Sequence, residues 1–182
     1  MKRTFLIIVS VLIIFCAFFS CEKAKTEENP TDQITGGDVA SGNEDSNLKI
    51  AVSLPEGWNK LEGSVLEHQY MKNTASLIIK EESFSKKTLD GIVDEANEIF
   101  RNTFTGFEKV GENEYIKIGG KDAVKTSFTC KAGSFEMKYI YVYFLLNNKV
   151  TAITLGDLAD TFDSLSSDYS YILEHITFTE AD

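Results

Sequence analysis

The chain has 182 residues and a formal net charge of −10, from 28 acidic and 18 basic side chains. An acidic surface of this kind excludes the basic footprint that nucleic-acid binding needs and disfavours charge-driven docking on anionic lipid. No internal repeat is visible, and the length beyond residue 46 suits one domain with its own core.

Lys2 and Arg3 make a short positive start, and an almost unbroken apolar run follows over residues 5–19. At about 15 residues the run fits the apolar part of a signal peptide and falls short of the ~20 needed to cross a bilayer as a helix. A signal peptidase takes a small side chain just before the cut. Ser20 meets that need ahead of Cys21, whereas Cys16 follows Phe15. The stretch Phe18-Phe19-Ser20-Cys21 resembles the box of bacterial lipoprotein signals, which reads aliphatic, small, Gly/Ala/Ser, Cys. Ser20 and Cys21 match its last two positions, while Phe18 is aromatic and Phe19 is bulkier than the usual occupant. The resemblance implies cleavage between Ser20 and Cys21, diacylglycerol on the Cys21 sulfur and often a further acyl chain, such as palmitate, on the new amine. Each buried methylene contributes about 0.8 kcal/mol, and two chains anchor stably where one does not. Residues 1–20 are therefore expected to be a lipoprotein signal peptide, with an uncleaved membrane anchor as the other reading. Both place the remainder on the extracytoplasmic face of the cell membrane.

Cys16 leaves with the leader and Cys21 takes the lipid, so Cys130 stands alone and no internal disulfide forms. Residues 22–46 carry seven acidic side chains against Lys23 and Lys25, include Pro30 and Gly36-Gly37, and hold almost no large apolar residue. Such a segment cannot bury enough surface to offset its ordering entropy. Residues 21–46 are read as the lipidated cysteine and a disordered acidic tether, holding a domain of residues 47–182 roughly 25–30 Å from the anchor on average.

Within that domain, residues 48–54 alternate, with Leu48, Ile50, Val52 and Leu54 on one face of a half-buried strand. Pro55-Glu56-Gly57 turns the chain ahead of Trp58. Residues 65–71 and 75–81 read as a hairpin joined through Lys72-Asn73-Thr74. The clearest helix spans about 88–104. Leu89, Ile92, Val93, Ala96, Ile99, Phe100 and Phe104 form its stripe, Thr88 its cap, Asp90 its first-turn acid and Gly106 its stop. Residues 107–118 are a weaker strand region broken near Gly111, and Gly119-Gly120 turns into a strand over 123–130. Residues 135–146 make the longest strand. Ile140, Val142, Phe144 and Leu146 share one face, and Tyr139, Tyr141, Tyr143 and Leu145 the other, which puts this strand at the centre with a layer on each side. Asn147-Asn148 is a tight hairpin turn into residues 149–155. A second helix is predicted over about 160–174, and a short strand over 176–178. The economical architecture is an α+β fold: an α/β/α sandwich with a mostly antiparallel central sheet and two main helices.

This order of elements resembles the PsbP-like family. The matching features are an opening strand running into Pro55-Glu56-Gly57-Trp58, the middle helix, Gly119-Gly120 before a strand, the hairpin over residues 139–155, and a final helix leading to Ile176-Thr177-Phe178. The family includes the photosystem subunit PsbP, a Ran-binding nuclear import factor and bacterial lipoproteins of the DcrB type. The resemblance implies an α/β/α sandwich used for binding and assembly, with catalysis not the rule. Its members' partners differ too much for one to be carried over.

Neither His68, beside Glu67, nor His175, at the end of the second helix, sits in a metal-binding spacing, and the helix dipole accounts for His175. Cys130 alternates with Val124 and Phe128 and is expected to be a buried inert thiol. Asp157, Asp160 and Asp163 lack the glycine and terminal glutamate of a calcium loop and read as acids complementing a helix start. Glu112, Glu114 and Asp122 read as a solvated rim. No Gly-x-Ser-x-Gly elbow is present. Trp58 and Tyr141 are the candidates for a groove, against the plainer reading that both fill the core. The expectation is a non-enzymatic, lipid-anchored binding or assembly module without metal or cofactor, held to the membrane through Cys21 and meeting a protein partner at the membrane surface. A small-ligand carrier, or an extracytoplasmic hydrolase with a site assembled around His68 or His175, are the alternatives.

Overall fold

The computed structural model describes residues 48–180, within a compact unit that runs from Asn47 to Asp182. The expected leader, the cleavage site at Ser20 and Cys21, and the tether lie outside the described residues.

Eight strands build the central sheet: β2 (Asn59–Lys60), β3 (His68–Lys72), β4 (Ala75–Glu82), β5 (Thr105–Lys109), β6 (Glu114–Ile118), β7 (Lys121–Ala132), β8 (Phe135–Leu146) and β9 (Lys149–Leu158). Their order is β2-β3-β4-β9-β8-β7-β5, with β6 also on β7, and every pairing is antiparallel. Strands β1 (Leu48–Val52) and β10 (Ile176–Glu180) form a separate two-stranded ribbon. The helices are α1 (Leu89–Thr103), α2 (Ala159–Phe162) and α3 (Ser166–Glu174), with a 3-10 turn over Asp163–Leu165 between the last two. This is the α+β architecture with a mostly antiparallel sheet that the sequence predicts.

The two-faced pattern of β8 organises the layers, because successive side chains of a strand point to opposite faces. Tyr139, Tyr141 and Tyr143 sit across from Phe128, Thr126 and Val124 of β7, on the face covered by α1. Phe100 of α1 lies with its ring 4.9 Å from Phe128 and 4.8 Å from Tyr141. Ile92, Val93 and Ala96 complete its buried stripe. The Thr88 hydroxyl accepts from the Gly91 N–H at 3.2 Å and starts the helix. On the opposite face Val142 and Phe144 join Leu77, Ile79, Ile153 and Leu155 beneath Phe162, Tyr169, Ile172 and Ile176. Each fully buried apolar side chain of this size contributes about 1.5–3 kcal/mol. The β1–β10 ribbon lays Leu48, Ile50 and Val52 on this second face, so a strand pair shares that layer with α2 and α3.

Three expectations are corrected in detail. The second helix is interrupted rather than continuous over 160–174. The Ser164 hydroxyl donates to the Thr161 carbonyl at 2.6 Å and Leu165 leaves helical geometry at ψ 12°. Serine and aspartate compete in this way with helical bonding. Gly106 does not stop α1. The helix ends at Thr103, and Gly106, at φ 64°, sits inside β5 where the register with β7 shifts. A glycine at positive φ is the usual means of inserting such a bulge. Finally, β3 begins at His68 and not at residue 65, because the Ser64 side chain captures the backbone that would have extended the strand.

Candidate functional site

A half-open cleft of about 350 Å³ lies on the second face of the sheet, between β1 and residues 65–68. Its floor is Ile79, Leu146 and Thr151. Leu48, Lys49 and Ile50 form one wall, and Val65, Leu66, Glu67 and His68 the other.

The second wall is set by Ser64. Its hydroxyl donates to the side-chain carbonyl of buried Gln69 at 2.6 Å and accepts from the Leu66 N–H at 3.0 Å. The Leu61 N–H donates to the Gln69 carbonyl at 2.8 Å, closing the base of this loop. Held from behind, the loop projects Val65 outward, where it is 99% exposed. The first wall is tied to the β8–β9 turn. The Asn147 carboxamide donates to the Leu48 carbonyl at 2.9 Å and accepts from the Leu48 N–H at 3.0 Å.

His68 faces Ile79 of the floor across the β3–β4 pairing. Burial holds its imidazole below the usual range, against an opposing pull from Glu67, and Lys60 adds to the lowering. The Tyr70 phenol is pushed up by burial and then by Glu67, and its hydroxyl lies 3.2 Å from His68 Nδ1. The phenol and the imidazole share this hydrogen bond, and the tautomer of the ring sets which of the two donates. Glu67 is 3.9 Å from His68 Nε2 with its own side chain largely in solvent. Lys49, Glu67 and Glu81 bring charges of both signs to the cleft, whereas Lys80 follows Ile79 on β4 and turns its ammonium to the α1 face. Glu81 pairs with Lys149 at 2.8 Å, and Lys80 with Glu82 at 3.2 Å.

The structure does not bring Trp58 and Tyr141 together. Trp58 is buried in the core of the second face, edge-on to Tyr169. Its indole N–H donates to Asp168 Oδ2 at 2.8 Å, and Lys72 Nζ donates to the same oxygen at 2.7 Å and to the Glu56 carbonyl at 2.9 Å. The Pro55-Glu56-Gly57-Trp58 turn is thus locked to the start of α3. Tyr141 packs between Phe100 and Phe128 on the other face. The sheet separates the two rings, and neither lines the cleft.

His175 sits at the end of α3, stacked on Tyr171 with ring centroids 3.9 Å apart and Nδ1 2.8 Å from the Tyr171 carbonyl. Cys130 is buried and its thiol is pushed up to about 11 by that burial. Asp157, Asp160 and Asp163 do separate things. Asp157 is buried and accepts from the Thr161 hydroxyl at 2.8 Å, Asp160 lies exposed in the first turn of α2, and Asp163 pairs with Lys138 at 2.7 Å. Glu114 and Asp122 form exposed pairs with Lys125 and Lys117, and Glu112 approaches Lys109 at 3.9 Å. Among the described residues no group of three or more His, Cys, Asp or Glu side chains gathers as a metal site. No described helix is long and apolar enough to cross a membrane.

Sequence reasoning missed Asp168, the Asn147 amide and the exposed Val65. The unmatched polarity of Asp168 and the Asn-Asn pair were visible in the sequence, but their partners lie 110 and 99 residues away.

No family model and no curated protein matches the chain. Among solved structures it is similar to LpqN, involved in cell envelope biogenesis of Mycobacterium tuberculosis, at 14% identity and a TM-score of 0.57, over 75% of this chain and 87% of that one. A protein of unknown function from Pseudomonas aeruginosa, PA94, described as a putative regulator, matches at 16% identity and a TM-score of 0.48, over 72% and 83%. The cyanobacterial PsbP of Synechocystis matches at 15% identity and a TM-score of 0.47, over 80% and 98%. The likeness to LpqN is one of fold, and the α+β sandwich is the architecture that the PsbP-like resemblance of the sequence implied.

Proposed function

We propose that this chain is a lipid-anchored binding module of the cell envelope, held at the extracytoplasmic face of a membrane through Cys21 and engaging a protein partner at the cleft between β1 and residues 65–68. The observation that carries the binding role is that cleft, with Ile79 and Leu146 in its floor, charges of both signs at its rim and the fully exposed Val65 at its mouth. The anchor rests on the apolar leader and Ser20-Cys21, and the acidic tether gives the domain reach along the surface. LpqN, which shares the fold, is itself described as taking part in cell envelope biogenesis. Binding suits the chemistry around His68 better than hydrolysis does. Its phenol partner Tyr70 is pushed up, away from activation as a nucleophile, and Glu67 reaches the imidazole only at 3.9 Å.

A small-ligand carrier is the second reading, because about 350 Å³ falls within the size range of ligand sites.

Fractionation of cells labelled with a palmitate analogue tests the anchor. The parent chain is expected in the membrane fraction carrying label, and Cys21→Ser is expected to lose the label and leave that state. A labelled, membrane-bound Cys21→Ser overturns the anchor. Crosslinking in intact cells from a photoreactive group at position 65 tests the partner, with Cys21→Ser as control. A neighbour captured only by the anchored chain supports the module, and no neighbour moves the reading to the carrier.

A further inference from the structure

The free edge of β1 specifies what the cleft takes, on the reading that the cleft is the binding site. In an antiparallel ladder the N–H and C=O of one residue point to the same side, and successive residues alternate. The Ser53 N–H donates toward β10, to the His175 carbonyl at 3.4 Å, whereas both backbone groups of Leu48 turn the other way, to Asn147. Lys49 and Ala51 therefore pair with β10 through hydrogen bonds, and Leu48, Ile50 and Val52 direct theirs outward. β1 has one strand neighbour, and among the described residues the outward groups of Ile50 and Val52 meet no partner.

Asn147 is an internal example of an occupant. Its carboxamide both donates to and accepts from Leu48, the reciprocal exchange made by facing residues of two antiparallel strands. The side-chain amide fills the first position of an open ladder. The next position is Ile50, in the wall of the cleft.

The surroundings suit an extended peptide. A strand placed along β1 lies over the sheet, with alternate side chains directed down onto Ile79 and Leu146 and the rest outward past Val65. Val65 is an apolar side chain wholly in water at that mouth. The cleft carries charges of both signs, Lys49 against Glu67 and a Glu81 already paired with Lys149, which suits an uncharged main chain and offers nothing to a polyanion. Main-chain bonds supply the affinity in this mode of recognition, and alternate side chains the specificity.

We propose that the cleft is a β-strand addition site. An uncharged, extended segment of a partner protein, with apolar residues at alternate positions, pairs antiparallel with β1 at Ile50 and Val52 and continues the ladder that Asn147 begins.

The test selects random seven-residue peptides displayed on phage against the full-length chain in detergent micelles. The strongest peptide is synthesised with two controls, each N-methylated at the alternate amides of one edge. The readout is hydrogen exchange resolved to the Ile50 and Val52 amides. Expected are enrichment of alternating apolar sequences and slowing of Ile50 exchange by about tenfold or more. One of the two methylated peptides loses binding, and Val65→Asp binds several-fold more weakly at an unchanged melting temperature. No enriched peptide, an enriched peptide that leaves Ile50 exchange unchanged, or binding that survives both methylations overturns the proposal. An Ile50 amide already protected in the free chain, and released when residues 22–46 are deleted, assigns the edge to the tether and overturns it too. Loss of the lipid anchor with Ile50 protection intact removes the anchoring reading alone. A sound anchor without protection removes this proposal alone.

Discussion

The carboxamide of Asn147 holds both backbone groups of Leu48 from 99 residues away, at 2.9 and 3.0 Å. The same residue makes the β8–β9 turn at φ 50°, with Asn148 at φ 60°. One side chain thus closes a hairpin and fastens the β1–β10 ribbon to the sheet. Asn147→Gly keeps the turn conformation and removes only the amide. It is expected to cost about 1–2 kcal/mol, the net worth of two hydrogen bonds, and to speed exchange of the β1 amides. Urea denaturation and hydrogen exchange measure the two effects, and unchanged values in both would mean that the ribbon is held by its apolar side chains alone.

Asp168 fastens the Trp58 turn to α3. Burial works against its carboxylate, but the hydrogen bonds from Lys72 and Trp58, with the Lys72 charge, more than offset this and hold the carboxyl below its usual range. A carboxyl lowered in the folded state stabilises above its unfolded value, near pH 4, and that stabilisation is lost as pH falls through the folded value. Asp168→Asn is therefore expected to lose about 1.5–3 kcal/mol at pH 7 and much less near pH 2. Denaturation curves of both proteins at the two pH values check the convergence.

His68 carries the opposite charge type with the same slope. Burial lowers its imidazole, so the unfolded chain binds the proton more readily. Stability is full above about pH 6.5 and falls on acidification through the lowered value. The expected result is an imidazole NMR titration with its midpoint below 6.5, and a shallower loss of stability between pH 7 and 5 in His68→Asn. A midpoint above 6.5 contradicts the buried, neutral ring.

Gly156 lies against the ring of Tyr139, and a Cβ there would overlap that ring. Tyr139 is held in turn by Phe128 and Phe104 on the α1 face, at 5.3 and 6.3 Å. Gly156→Ala is expected to cost about 1–3 kcal/mol through overpacking, read as a lower melting temperature. Pairing it with Tyr139→Leu, which removes the obstructing ring, is expected to give a loss smaller than the sum of the two single changes.

The elements that follow from local pattern were legible. The alternation of Tyr139, Tyr141 and Tyr143 with Ile140, Val142 and Phe144 identifies a strand covered on both faces, and β8 is that strand. The stripe and cap of α1, and the Asn147-Asn148 turn, were equally local. The break at Asp163–Leu165 was not, because the apolar spacing of Phe162, Leu165, Tyr169 and Ile172 continues across it and conceals the competing Ser164 hydroxyl.

Composition and periodicity alone determined the class of fold, the central strand and the main helix, since each depends on residues within a few positions of one another. The cleft was decided only by tertiary structure. It exists because β1 pairs with β10, with Leu48 facing Glu180 132 residues on, instead of joining the sheet, and because Ser64 turns residues 65–67 away from β3. Trp58 and Tyr141, both aromatic and both next to strong local signals, were placed on opposite faces by the pairing of distant strands. Backbone hydrogen bonds between segments far apart leave no period in the sequence, so where the free edge of β1 opens could be read only from the folded chain.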